Sequence, residues 1–458
     1  MRTRESITAV IKAYDVRGVV GVDIDADFIR ETGAAFARLM RSEGETTVAV
    51  GHDMRDTSPE LSRAFAEGVT SQGLDVVLLG LTSTDELYFA SGTLECAGAM
   101  FTASHNPAKY NGIKLCRKGA RPVGQDSGLA TIIDDLEAGV PEFEGATGSI
   151  TEKDLLQAYS DYLNELVDLK GIRPLKVAVD AANGMGGFTV PEVFKGLPLE
   201  IAPLYFELDG SFPNHEANPL EPANLVDLQK YTVETGSDIG LAFDGDADRC
   251  FVVDEKGQPV SPSAICAIVA KRYLDKLPGS TIIHNLITSK AVPEVIAENG
   301  GTAVRTRVGH SFIKAKMAET GAAFGGEHSA HYYFTEFFNA DSGILAAMHV
   351  LAALGTQDKP LSEMMAEYNR YYASGELNSR LANAEAQKER TEAVLEAFAD
   401  RTESVDTLDG VTVELKGTPA WFNVRASNTE PLLRLNVEGT TEQEVAELVA
   451  EILGIIRA

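Results

Sequence analysis

The sequence predicts an α/β protein made of three similar rounds of strand and helix, with a smaller α+β domain at the C-terminal end. Three observations carry this expectation. A chain of 458 residues exceeds one ordinary hydrophobic core and divides into roughly three or four domains. Short β-branched runs alternate with helical patterns as far as Arg370. Beyond that point strands and helices segregate, which is the α+β pattern.

In the first round, Thr47 to Val50 is a short strand, and Ser58-Pro59-Glu60 starts a helix with serine at the cap and proline in the first turn. Leu74 to Leu79 is the next buried strand, and Gly98 to Thr102 is another. Asn106-Pro107 breaks that strand, because a residue before proline is pushed out of the helical region. The second round has a helix from Thr151 to Leu169, a strand from Lys176 to Asp180, a glycine-rich turn from Asn183 to Gly187 and a strand from Ile239 to Phe243. The third has a helix from Ser263 to Leu277, a strand from Thr281 to Ile287 and a helix from Ser311 to Thr320. A charged helix (Ala384 to Ala399), a β-rich stretch (Val411 to Val437) and an amphipathic helix (Glu442 to Ile456) complete the chain. Linkers are expected at Gly139 to Gly148, Asp254 to Pro262 and Tyr371 to Glu376, giving domains 1–150, 151–254, 255–370 and 371–458.

Composition is that of a globular protein, with 44% hydrophobic residues and a formal charge of −28. So acidic a chain argues against nucleic acid or an anionic membrane as partner, although a few converging cations can still bind an anionic metabolite. The longest apolar stretch, near Ile344 to Leu354, is too short to span a bilayer. Met1 to Ala9 has no apolar core, so no signal peptide is expected. Cys96, Cys116, Cys250 and Cys266 show no metal-ligand spacing and read as reduced, buried thiols, with the cytoplasm as the default location. Neither a G-x-G-x-x-G fingerprint nor a P-loop occurs, which weakens dinucleotide oxidoreductase and NTPase readings.

Four motifs carry the chemistry. Thr102-Ala103-Ser104-His105-Asn106-Pro107 puts a hydroxyl at the end of an apolar run. A serine is a weak nucleophile unless a neighbour takes its proton or it already carries a phosphoryl group. No Gly-x-Ser-x-Gly elbow surrounds it, and an isolated serine here would more often cap a turn. Asp244-Gly245-Asp246-Ala247-Asp248-Arg249 is the strongest signal, because alternation in an extended segment would bring three carboxylates to one side, where they need a cation. All-oxygen ligation suits Mg²⁺, while an EF-hand is excluded because an apolar strand follows. Glu327-His328-Ser329-Ala330-His331-Tyr332-Tyr333 offers the mixed donors and aromatic faces that a sugar demands, or a structural His/Tyr cluster. Arg425-Ala426-Ser427-Asn428-Thr429-Glu430-Pro431, with Arg434 beyond it, is a plausible phosphate grip, although Ser427 to Glu430 also fits a capping box.

Taken together and in this order, these motifs resemble the α-D-phosphohexomutase superfamily along essentially the whole chain. The resemblance implies three related α/β domains with mixed sheets sandwiched by helices, and a fourth α+β domain, around a central active-site cleft. It implies that Ser104 is a phosphoserine and that Asp244, Asp246 and Asp248 hold Mg²⁺ beside it. The loop containing Glu327, Ser329 and His331 would bind the sugar, and Arg425, Ser427, Asn428, Thr429 and Arg434 the non-reacting phosphate. Arg17, Lys114, Arg249 and His310 also fall at active-site positions of the family. The implied reaction moves phosphate between O1 and O6 of a hexose through a hexose 1,6-bisphosphate. Lys114 is the first choice for proton transfer, with His105 and His331 behind it, and Arg17 and Arg249 are expected to lower the lysine pKa by repulsion. The sugar loop has the form seen in phosphomannomutases and dual mannose/glucose enzymes, which favours mannose phosphate over glucose phosphate, with glucosamine phosphate behind. Ala330 stands where many relatives have glycine. A monomer or weak dimer is expected.

Overall fold

In every unit of this chain a strand ends in a loop that returns as its antiparallel partner. The computed structural model describes residues 2–427 and 431–458, and at His310 the backbone only. In the first unit the parallel strands Asp75–Leu81, Thr47–His52 and Ala97–Phe101 form the middle of a seven-stranded sheet. Tyr110–Arg117 then pairs antiparallel with Ala97–Phe101, and Val16–Val19 lies outside it. Every residue of Ala97–Phe101 is buried, as expected of an apolar central strand covered on both faces.

The second unit repeats the plan with five strands. Leu199–Leu204, Leu175–Asp180 and Ile239–Phe243 are parallel, and Cys250–Asp254 and Pro259–Val260 follow antiparallel. In the third, Thr302–Thr306, Thr281–Asn285 and Phe324–Gly326 are parallel, and Tyr332–Phe334 and Ala340–Asp341 are antiparallel. The fourth sheet is wholly antiparallel, and helices Ala384–Phe398 and Glu442–Ile456 close its core through Val394, Phe398, Leu448 and Ile452 against Phe422 and Leu435. Among the described residues no helix is long and apolar enough to cross a membrane.

Two boundaries move. The expected helix from Thr151 is shorter, Leu156–Leu166, because Ile150–Glu152 is a strand pairing parallel with Asp75–Leu81. Its β-branched Ile150 and Thr151 favour an extended edge, so the first sheet crosses the expected break at residue 150. Likewise Pro259–Val260 completes the second sheet beyond the expected end at 254. The other strands and helices fall within a few residues of expectation.

One apolar cluster runs continuously through the second and third units and reaches part of the first, whereas the C-terminal unit keeps a cluster of its own. The buried carboxylate of Asp85 ties the first three units together. It accepts hydrogen bonds from Ser83 Oγ at 2.5 Å, Tyr159 Oη at 2.6 Å and Ser342 Oγ at 2.6 Å. Beside it, Glu86 is buried with Oε2 lacking a hydrogen-bond partner. Burial, and then the neighbouring Asp85 charge, push the Glu86 carboxyl up to about 8. A folded-state value above the unfolded one favours folding at low pH, and that contribution disappears as pH rises from about 4.5 through about 8. Glu86→Gln is therefore expected to change stability little at about pH 5 and to stabilise the fold by about 3–5 kcal/mol at about pH 9. Urea melts at the two pH values check this, and equal effects at both would contradict it.

Candidate active site

The loops that follow Phe101, Phe243, Gly326 and Ala426 each join a strand to its antiparallel partner. The first three lie at the carboxyl ends of parallel strands, where α/β folds build their sites. Side chains from those three units line one cavity of about 190 Å³, including Arg17, Ser104, Lys114, Arg249, His331 and Asp341.

Ser104 has φ 48°, in the left-handed region, which costs a non-glycine residue about 1–2 kcal/mol. Two features hold it there. Its N–H donates to Thr102 Oγ1 at 2.9 Å. The guanidinium of Arg55, only 1% exposed, donates to the carbonyls of Ser104 (3.0 Å), Asn106 (2.7 Å), Pro107 (3.0 Å) and Tyr110 (3.0 Å). Asp53 Oδ2 pairs with Arg55 Nε at 3.2 Å and supplies the counter-charge. Arg55 went unnoticed in the sequence, because nothing around it distinguishes it from a surface arginine.

The aspartate motif is a tight turn, not the expected extended segment. Ala247 takes φ 61° and its N–H returns to Asp244 O at 3.1 Å, so the turn gathers the three side chains. One oxygen from each of Asp244, Asp246 and Asp248 lies within 4.8 Å of the others, and all three residues are buried. Asp244 Oδ2 accepts from Ser104 Oγ at 2.9 Å and from Arg249 Nη2 at 2.8 Å. Asp246 Oδ2 accepts from Thr84 Oγ1 at 2.5 Å and Lys114 Nζ at 2.7 Å. Asp246 Oδ1 and Asp248 Oδ1 are buried without a hydrogen-bond partner. Orphaned carboxylate oxygens in a buried acidic cluster are what a hard divalent cation satisfies. Burial drives the Asp244 carboxyl well up despite Arg249, whereas at Asp246 the Lys114 ammonium outweighs burial and holds the carboxyl below its usual range.

Lys114 departs from expectation. Its Nζ also lies 2.5 Å from Asp248 Oδ2. Burial alone would lower its pKa, but Asp246, Asp248 and Asp341 outweigh that and raise it. The lowering expected from Arg17 and Arg249 is therefore absent in this cleft, because the acids stand closer than the arginines. His105 moves the other way: burial, then Arg249 and Arg17, push its imidazole down to about 2. It is a neutral acceptor, with Nδ1 2.6 Å from Arg249 Nη2 and 3.2 Å from Ser104 Oγ. Arg249 Nη2 itself lies 3.3 Å from Ser104 Oγ. Arg17 donates to Asn106 Oδ1 at 2.5 Å and to Ala103 O at 3.3 Å, and so braces the serine loop.

In the sugar-type loop, His331 faces the cavity with Nε2 3.8 Å from Asp248 Oδ1, and Ser329 Oγ lies 3.0 Å from its Nδ1. Glu327 is turned inward. Its Oε1 accepts from Gly309 N at 3.1 Å and Asn285 Nδ2 at 3.2 Å, and its Oε2 from Tyr333 Oη at 2.7 Å. In this state Glu327 anchors its loop and does not line the cavity. Ala330 adopts φ 65°, the conformation that glycine takes without strain. Asp341 forms part of the wall, ion-paired at 2.8 Å with the buried Lys314 behind it, and neither was anticipated.

In the C-terminal unit Arg425 and Arg434 face each other across paired strands, and Arg434 Nη2 lies 3.4 Å from Ser427 Oγ. Burial pushes the Tyr14 phenol up, and the charges of Arg307, Asp409, Glu327 and Arg425 act on it in that order. Asn428, Thr429 and the side chain of His310 lie outside the described residues.

The serine and aspartate loops touch directly. A Cβ on Gly245 would stand 2.4 Å from the Ser104 carbonyl oxygen. Gly245→Ala must push the two loops apart, with an expected loss of about 1–3 kcal/mol in a denaturant melt and weaker divalent-cation binding by calorimetry. Unchanged cation binding would show that the two loops do not set one another.

Family models match the chain in four successive pieces. Phosphoglucomutase/phosphomannomutase α/β/α domains I, II and III match residues 8–139, 157–257 and 261–371, and the C-terminal domain matches 376–455. The chain is 38% identical over 458 residues to a phosphomannomutase of Salmonella montevideo, covering 98% of each chain. It is 37% identical over 449 residues to "phosphohexose mutases" of Xanthomonas campestris, covering 96% of this chain and 98% of the other. A crystal structure of a phosphoglucomutase/phosphomannomutase family protein from Burkholderia thailandensis superposes with a TM-score of 0.89 at 33% identity, covering 100% of this chain and 98% of the other.

Proposed function

From the premise that the chain belongs to the phosphoglucomutase/phosphomannomutase family, and is therefore an isomerase that moves a phosphoryl group, we propose that it interconverts mannose 6-phosphate and mannose 1-phosphate. Glucose phosphate is the secondary substrate in this reading. The observation that carries phosphoryl transfer at the serine is the contact of Ser104 Oγ with Asp244 Oδ2 at 2.9 Å, with Arg249 at 3.3 Å, in a cleft lined by three units.

In the proposed reaction a phosphoryl group carried on Ser104 Oγ passes to the free hydroxyl of a hexose monophosphate. The P–Oγ bond breaks as the new P–O bond to the sugar forms, giving a hexose 1,6-bisphosphate. The bisphosphate turns end for end and returns its other phosphate to Ser104. The residues Asp244, Asp246 and Asp248, with the phosphate on Ser104, would hold Mg²⁺, which supplies positive charge against the phosphoryl oxygens. Arg249 is placed to neutralise charge at Ser104 Oγ as that bond breaks. Arg425, Ser427, Asn428, Thr429 and Arg434, with His310, are assigned to the phosphate that does not react.

We assign proton transfer at the sugar hydroxyl to His331. What supports this is its exposure to the cavity and its Ser329 contact, whereas Lys114 is held by two carboxylates and His105 is a weak base. Glu327 and Ser329 are assigned to the sugar, which requires Glu327 to exchange a present partner for a hydroxyl. Replacing His331 with Gln is expected to lower kcat about 10²–10⁴-fold with KM changing far less. Comparison of kcat/KM for mannose, glucose and glucosamine 1-phosphates tests substrate identity. Mannose phosphate is expected to be used at least as well as glucose phosphate, and a strong preference for glucosamine phosphate would overturn the assignment.

A further inference from the structure

Arg425 and Arg434 are direct cross-strand partners, and like charges placed opposite one another destabilise a sheet. A carboxylate resolves the conflict. Glu376 Oε2 lies 3.2 Å from Arg425 Nη2, and its Oε1 lies 3.5 Å from Arg434 Nη1. One acid thus spans both guanidinium groups with two oxygens, the way a phosphate would. The arginines are not saturated by it, since both Nε atoms are buried without a hydrogen-bond partner among the described residues. The Arg425 side chain is 8% exposed and that of Glu376 is 30%, so the cation is sequestered while its counterion reaches solvent.

Glu376 is well placed to move. It follows Gly375, whose φ of 68° makes a bend, in the segment between Tyr372–Ala373 and Leu377–Arg380, where the chain enters the separate C-terminal core. Its contacts with the arginines are long for ion pairs and partly wet, so they are modest in energy and easily exchanged. The proposed reaction needs such exchange. The same grip must hold one phosphate of the sugar and then the other, so it has to open while the bisphosphate turns, and a bare, buried Arg425 beside the half-buried Arg434 would resist that opening.

We propose that Glu376 is an internal counterion that occupies the seat of the non-reacting phosphate in the resting cleft, yields it to substrate, and recaptures the arginines when the bisphosphate lets go to turn. This rests on the assignment of Arg425 and Arg434 to that phosphate. The exchange is non-covalent, one anion for another, and no proton moves.

The test measures binding of inorganic phosphate to the full-length dephosphorylated enzyme by calorimetry, with Glu376→Gln, Arg425→Ala and the double variant beside the parent. Glu376→Gln is expected to tighten phosphate binding by about three-fold or more, and to have no effect once Arg425 is Ala. In turnover the same variant should lower KM for mannose 1-phosphate and also lower kcat, because release for the turn becomes slower. If Glu376→Gln leaves binding unchanged or weakens it while Arg425→Ala weakens it, the counterion proposal is wrong and the phosphate grip stands. If Arg425→Ala leaves phosphate binding and KM unchanged, the grip assignment itself fails and takes the proposal with it.

Discussion

Three carboxylates held out of water within 4.8 Å of one another are the constraint around which this molecule is arranged. Buried charges of one sign are tolerated only when paired and hydrogen-bonded. Arg249 pairs with Asp244 and Lys114 with both Asp246 and Asp248, Ser104 and Thr84 donate further hydrogen bonds, and two oxygens stay without a hydrogen-bond partner among the described residues. Asp246 Oδ1 and Asp248 Oδ1 are thus two vacant ligand atoms in the cluster that touches the serine hydroxyl through Asp244. A divalent cation is the smallest addition that satisfies both.

The fold delivers the groups that meet this constraint by repeating one junction. In each of the first three units the last parallel strand ends, a loop crosses the sheet edge, and the chain returns antiparallel. Ser104, Ala247 and Ala330 all take positive φ in these loops, so each loop is bent by one non-glycine residue in the left-handed region. The continuous core of the second and third units and the three-way Asp85 contact keep the loops at fixed distance. The C-terminal unit has its own core and meets the third through polar contacts, among them Lys290 with Glu414 and Glu438 and Val308 N with Asp409.

Much of this was legible in the sequence, and the failures are physically specific. Apolar runs such as Ile239–Phe243 and Glu442–Ile456 declare themselves, because period and length alone separate strand from helix. The four motifs were legible because each concentrates unusual chemistry in a few residues. Arg55, Glu376, Asp341 and Lys314 were not, since an isolated charged residue looks the same whether it serves the surface or a buried contact. The Lys114 expectation failed for a related reason. Arg17 and Arg249 are legible as neighbouring cations, but distance decides the sign, and the acids are in direct contact. The expected helix begins too early, at Thr151, because the three residues Ile150–Glu152 carry too little periodicity to reveal a sheet edge.

The account stands on a phosphoryl group that resides on one serine and leaves it for a sugar. Single-turnover mixing of the enzyme with hexose 1,6-bisphosphate labelled in its phosphates, followed by quenching and peptide mapping, measures that directly. The label is expected on Ser104, to chase into hexose monophosphate when unlabelled substrate is added, and to be absent from Ser104→Ala. Label on a different residue, or full turnover by Ser104→Ala, would contradict the account.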